Sequence, residues 1–235
     1  MTSMELLSNP VPYAPPLRHG HMVAMFVDLD HFMRICTDDP PEAVFSLIGG
    51  FQRVVTAAVA SFKGELNSYQ GDGVLAIFGD VAGRTDCATR ALRCAREILE
   101  HIEALGLYYV SLSGHPTSVS IGLQYGPVWA GTIGISRRFG PTLIGDAVNV
   151  ATRLEQQARQ LDAQVVVGNE VIQRARQESS SHACELEQFV NVGPLYVHGR
   201  TSPIHVWKLQ TRSSELLPNS GTDVEPHAGK RSAKS

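Results

Sequence analysis

Two spacings of apolar residues alternate along this chain, and each predicts its own kind of element. Apolar runs in Met22–Phe32 ("MVAMFVDLDHF", ending in Asp28 and Asp30), Val74–Phe78 and Gln164–Gly168 ("QVVVG") predict strands, and the continuous run Val74–Phe78 predicts one buried on both faces. Val44, Phe45, Ile48, Phe51, Val55, Ala58 and Val59 instead recur at helical spacing after Pro41 and Glu42, where a proline fits the first turn. A second helix follows Asp86 as cap, with the stripe Ala88, Ala91, Leu92, Ala95, Ile98, Leu99 and Ile102. A third starts at Asp146 and carries Ala147, Val150, Ala151, Leu154, Ala158 and Leu161. Ser118–Gly134 predicts a strand, a turn at Gly126 and Pro127, and a second strand with Trp129 in the core. A short helix from Glu170 to about Arg176 and strand pieces at Phe189–Val192 and Leu195–Leu209 complete the set.

The ends of the chain lack either period. Residues 1–20 carry Pro10, Pro12, Pro15 and Pro16 and are expected to form an arm, with the folded domain spanning 21–210. Residues 211–235 turn polar, ending in "SGTDVEPHAGKRSAKS", and are expected to be a disordered tail.

Composition narrows the chemistry. With 43% hydrophobic residues in 235, the chain can bury one sizeable core. Its 20 basic and 23 acidic residues leave no general positive field for a nucleic-acid backbone or a membrane surface, so neither is an expected partner. Cys36, Cys87, Cys94 and Cys184 lack metal-ligand spacing and read as buried free thiols, which with the absence of a leader or an apolar span suggests the cytoplasm.

Three places hold candidate chemistry. Asp28 and Asp30 stand at the end of the first strand, where the bland role is to cap the following helix. Asp72 lies in "NSYQGDGVLAIFG" between Gly71 and Gly73, whose backbone freedom suits a tight turn before a buried strand. Asn149 and Arg153, four residues apart near the positive end of the third helix, form a pair suited to a polyanion. Arg138, His198 and Arg200 are basic residues that can reach a phosphate, although loop charges of this kind are common.

Together "FVDLDHF", "YQGDGVLAIFG", "IGLQYGPVWAGTIG" and "TLIGDAVNVATRL" resemble, in order and spacing, the class III nucleotidyl cyclase catalytic domain. The resemblance implies an α/β (α+β) fold with a ferredoxin-like sheet and covering helices, arranged as an antiparallel homodimer with shared active sites. It implies that Asp28 and Asp72 bind two divalent cations, Mn²⁺ or Mg²⁺, that Asn149 orients the ribose, and that Arg153 stabilises the transition state. The expected reaction converts a nucleoside triphosphate to a 3′,5′-cyclic nucleotide and pyrophosphate. At the positions where purine cyclases of this family place a base-reading Lys and an Asp or Thr, this chain has Ser68 and Thr142. Strand alternation sets Gln70 on the side of Ser68 and Asp72, making Gln70 a third base-binding candidate. "YQGDG" is similar to the pyrimidine cyclases of bacterial antiphage systems, which implies UTP, or else CTP, as substrate. The alternatives are an adenylate cyclase making cyclic AMP and a catalytically dead nucleotide-binding homodomain.

Overall fold

The computed structural model describes residues 13–80, 85–113, 117–133, 142–178, 186–197 and 200–210. In chain order these form β1 (Tyr13–Leu29), α1 (Phe32–Asp38), α2 (Pro41–Ser61), β2 (Glu65–Gln70), β3 (Gly73–Phe78), α3 (Cys87–Ser113), β4 (Val119–Ile133) and β5 (Thr142–Ile144). Then follow α4 (Asp146–Ala158), β6 (Val165–Gly168), α5 (Asn169–Glu178), β7 (Phe189–Leu195) and β8 (Ile204–Leu209). The strands make one sheet in the order β2-β3-β1-β4-β6-β8-β7, with β5 added to the outer half of β4. Only β4 and β6 run parallel; all other pairings are antiparallel.

Strand alternation divides β1 between two faces. Val23, Met25, Val27 and Leu29 point into the main core with Phe51 and Val55 of α2, Leu92 and Ile98 of α3, and Val171 and Ile172 of α5. Ala24 and Phe26 point the other way, packing with Leu75, Val128, Ala147 and Ala151 under α4. That second packing is close: a Cβ at Gly122 of β4 would overlap the carbonyl of Ala151 and the amide of Glu155. Gly122 therefore lets the backbone of α4 lie directly on β4. Because Asp28 follows Ala24 and Phe26 at the strand period, its carboxylate emerges on the α4 face.

Several expectations change. Tyr13–Gly20, expected in the arm, extends β1 along β4, with Tyr13 opposite Ile133 and a shift of register between Ala14 and Arg18, where Pro15 and Pro16 have no N–H to donate. Residues 1–12 and 211–235 lie outside the described residues. Gly126 and Pro127 do not turn: β4 runs straight through, pairing them with Met22 and His21 of β1. On its other edge β4 pairs β6 only to Leu123 and β5 only from Trp129, so Pro127 falls where no partner asks for its missing N–H.

Trp129 is not a core residue: it is 40% exposed, beside the ring of His19 and opposite the exposed Ile144. Phe45 is likewise exposed, while Leu47, two residues on and so on the opposite side of α2, takes the buried place. Cys87 and Cys94 are buried, Cys36 is exposed, and Cys184 lies outside the described residues. By length and apolarity alone α2 would qualify as a membrane span, contrary to the expectation that no segment would. Its Val44, Leu47, Phe51, Val55, Ala58 and Val59 are buried in the core.

Candidate active site

The register of β1 against β3 brings the two aspartates together. Asp28 pairs with Gly73, and the amide of Leu29 donates to the carbonyl of Asp72 at 3.3 Å. The glycines of the turn have different jobs. Gly71 has φ +66°, the left-handed region in which a side chain is strained. Gly73 is not in that region; a Cβ there would sit 2.6 Å from the ring of Phe26 and 3.0 Å from Oδ1 of Asp28. It is needed for room beside the carboxylate, where the sequence suggested conformational freedom.

Asp28 faces a cavity of about 410 Å³ lined by Phe26, Gln70, Thr152, Glu155, Gln156 and Arg159. Burial, then the neighbouring Asp72 charge, pushes the Asp28 carboxyl up to about 6, with Arg159 opposing. Glu155 is 3% exposed, and burial followed by the charge of Asp28 pushes its carboxyl up to about 8. The site is thus short of positive charge. Its donors are carboxylate oxygens, and among the described residues no cluster of three or more metal-ligating side chains forms. Two adjoining carboxylates, with Asp28 held up first by burial and then by its neighbour's charge, fit hard divalent cations, which take oxygen ligands and would offset that charge.

Asp30 turns away from this pair. Its carboxylate accepts from Ser118 Oγ and Ser120 Oγ at 2.7 Å each and from Arg159 Nε at 3.1 Å. Gln70 lies at the cavity, and its Nε2 donates to Ser68 Oγ at 3.4 Å, so these two candidates share a side of β2.

The remaining candidates lie elsewhere on the chain. Thr142 pairs with Gly131 on β4, whereas Asp28 pairs with Ser120. The two positions are separated by roughly 35 Å along the strand at about 3.3 Å per residue. Asn149 is exposed and Arg153 half-buried on α4, on a face adjacent to the one that Thr152, Glu155 and Arg159 turn to Asp28. Neither makes a hydrogen bond among the described residues. Arg200 ion-pairs through Nη1 with Asp146 Oδ2 in the first turn of α4, at the opposite end of that helix from Arg159. Arg138 and His198 lie outside the described residues.

Sequence reasoning missed Glu155 and Arg159. A signal existed for the first: Glu155 interrupts the buried stripe of α4 between Leu154 and Ala158. Arg159 follows the last helical residue and reads in the sequence as an ordinary surface charge.

This open sheet with covering helices has counterparts among solved structures. The adenylyl cyclase CyaB from P. aeruginosa superposes with a TM-score of 0.73 at 19% identity, over 86% of this chain and 100% of that one. A bacterial light-regulated adenylyl cyclase superposes with a TM-score of 0.70 at 26% identity, over 83% of this chain and 53% of that one. The fold is that of the class III cyclases.

Residues 15–210 match the family described as the adenylate and guanylate cyclase catalytic domain, and the chain belongs to that family. Among curated relatives, an adenylate cyclase of Anabaena cylindrica is 30% identical over 152 residues, which is 64% of this chain and 30% of the relative. Adenylate cyclase 1 of Rhizobium meliloti is 26% identical over 189 residues, 80% of this chain and 27% of the relative. The chain spans about a third of the length of these relatives.

Proposed function

We propose that this chain is a nucleotidyl cyclase that converts a nucleoside triphosphate to its 3′,5′-cyclic nucleotide and pyrophosphate. The observation that carries this function is the pair Asp28 and Asp72, set side by side by the β1/β3 register, with Gly73 leaving room beside Asp28 and Asp28 facing a cavity of about 410 Å³. Asp28 and Asp72 would hold two Mg²⁺ or Mn²⁺ ions, which supply an acidified 3′-hydroxyl and charge neutralisation on the triphosphate. Arg153 would donate to the phosphoryl oxygens as negative charge grows on them, and Asn149 would hold the ribose in line with the α-phosphorus.

One chain does not assemble these parts, which supports a homodimer with shared sites. The aspartates open toward the C-terminal half of α4, whereas Asn149 and Arg153 face outward from it without a partner. A second copy related by a two-fold axis can present its Asn149 and Arg153 to the first copy's aspartates. Exposed Trp129 and Ile144, opposite one another on β4 and β5, are suited to the buried centre of such an interface.

For the base, a pyrimidine is favoured, with UTP ahead of CTP. Ser68 is too short to reach a purine edge, while the Gln70 amide at the cavity offers both a donor and an acceptor to a smaller ring. The likeness of "YQGDG" to antiphage pyrimidine cyclases adds a defence second messenger as the role of the product. ATP is the second substrate to consider, because the curated relatives named above are adenylate cyclases. A nucleotide-binding regulatory homodomain would bind triphosphate without releasing pyrophosphate. Chromatography of products from an equimolar mixture of ATP, GTP, CTP and UTP with Mn²⁺ decides among these. Cyclic UMP or cyclic CMP should dominate by at least about tenfold, equal to about 1.4 kcal/mol in transition-state binding. Dominant cyclic AMP would overturn the pyrimidine assignment, and no cyclic product at all would overturn the cyclase assignment.

A further inference from the structure

Two carboxylates, Asp28 and Glu155, line the Asp28 cavity, and Asp72 and Asp30 lie close enough to act on the charge of both. Arg159 is the one cation in its lining. It also lines a second cavity of about 390 Å³, with Asp30, His31, Ser120, Asp162 and Gln164, and so forms part of the wall between the two. Its hydrogen bond to Asp30 uses Nε, and its side chain stays 50% exposed, while Asp30 is nearly buried and fixed by two serine hydroxyls. The guanidinium fork permits this division: one edge is tied to the protein, and among the described residues the two terminal nitrogens donate to nothing else.

We infer that Arg159 binds the β- and γ-phosphates of the substrate, and then the departing pyrophosphate, on the protomer that carries the aspartates, with Asp30 as its positioning residue. This deepens, and rests on, the cyclase function proposed above. A triphosphate carries about four negative charges, and two divalent cations held by two carboxylates leave that assembly without a surplus of positive charge at the leaving end. Arg159 stands where the phosphate tail would pass from the Asp28 cavity into the second one, and planar, bidentate donation to phosphate is what its free edge offers. A lysine at this position would lose the tether to Asp30 if it turned to the phosphate.

The test is calorimetric binding of inorganic tripolyphosphate to the full chain with Mn²⁺, alongside steady-state kinetics and melting curves. Arg159→Ala should weaken tripolyphosphate by about tenfold or more, the loss of one charge-assisted donor, and raise KM more than it lowers kcat. Asp30→Asn, which keeps the shape and the serine contacts but loosens Nε, should weaken it by a smaller factor, about threefold. Arg159→Lys should fall between the wild type and Arg159→Ala, and serves as the readout if the alanine variant does not fold. Tripolyphosphate affinity within twofold of wild type in a normally melting Arg159 variant overturns the inference while leaving the cyclase function intact. Loss of tripolyphosphate affinity in the variant, with a wild type that makes no cyclic nucleotide, upholds the phosphate site and sinks the cyclase function.

Discussion

The two halves of α4 differ in how far one chain completes them. At the C-terminal end, Arg159 is tied to Asp30, which also accepts from Ser118 and Ser120, and Glu155 and Arg159 line the cavity that Asp28 faces. Toward the N-terminal half, Asn149 and Arg153 are turned out with no hydrogen bond among the described residues, although the same helix carries them. The tie between Asp30 and Arg159 orders that end within one chain, although its carboxylates are still short of positive charge. A polar pair left open on a well-packed helix is instead ready for a ligand or a second chain. The difference locates the aspartates on one surface and their expected partners on another.

The sharpest way to test the first half is to remove it. Asp28→Ala or Asp72→Ala should lower cyclic-nucleotide formation at least about a hundredfold, since each deletes an oxygen ligand, while leaving the melting curve close to wild type. Turnover near the wild-type rate in either variant would show that the paired carboxylates are not the reacting centre. Asp30→Asn should cost much less, because its carboxylate serves Ser118, Ser120 and Arg159.

Mixing probes the relation between the halves. Asp28→Ala and Arg153→Ala should each be inactive alone, yet an equal mixture that re-forms dimers should recover about a quarter of the wild-type sites, one intact site in each heterodimer. No recovery on mixing, with heterodimers demonstrated by native mass spectrometry, would mean that each chain builds its site alone.

Smaller effects follow from the acid cluster. Binding of a divalent cation needs Asp28 ionised, and its carboxyl sits at about 6 in the metal-free chain. Mn²⁺ affinity, followed by calorimetry, should therefore be flat above that pH and fall about tenfold per unit below it. The buried Glu155 titrates in the opposite direction for stability. With its folded value raised to about 8, it favours the folded state at low pH and loses that contribution as pH rises from the ordinary carboxylate range through 8. Glu155→Gln should accordingly melt near wild type at about pH 5 and a few degrees higher at about pH 9 in metal-free buffer. An equal Tm difference at both pH values would mean that the glutamate charge is not what the fold resists.

Much was legible from the chain alone because it depends on local period and local chemistry. The buried strand Val74–Phe78, the helix opening at Pro41 and the stripe of α4 follow from apolar spacing, and the order of four short motifs pointed to the cyclase family before any geometry was known. What failed locally failed for long-range reasons. A Gly-Pro pair is a turn signal unless neighbouring strands leave a gap at that place, and the spacing of β5 and β6 along β4 does so. Proline-rich residues before His21 look unstructured until β4 is long enough to pair with them.

Only the tertiary structure decided which charges share a cavity. Asp28 and Arg159 are brought together by β1 pairing with β4 and by α4 lying flat on Gly122, contacts between segments far apart in sequence. Periodicity can say that a side chain is buried or exposed; it cannot say what faces it across a sheet. For that reason the sequence by itself determined the family, the sheet-and-helix class and the identity of the candidate ligands. The packing determined that Asp30 is tied to Arg159, that Glu155 is a buried acid beside the aspartates, and that Asn149 and Arg153 face away from them.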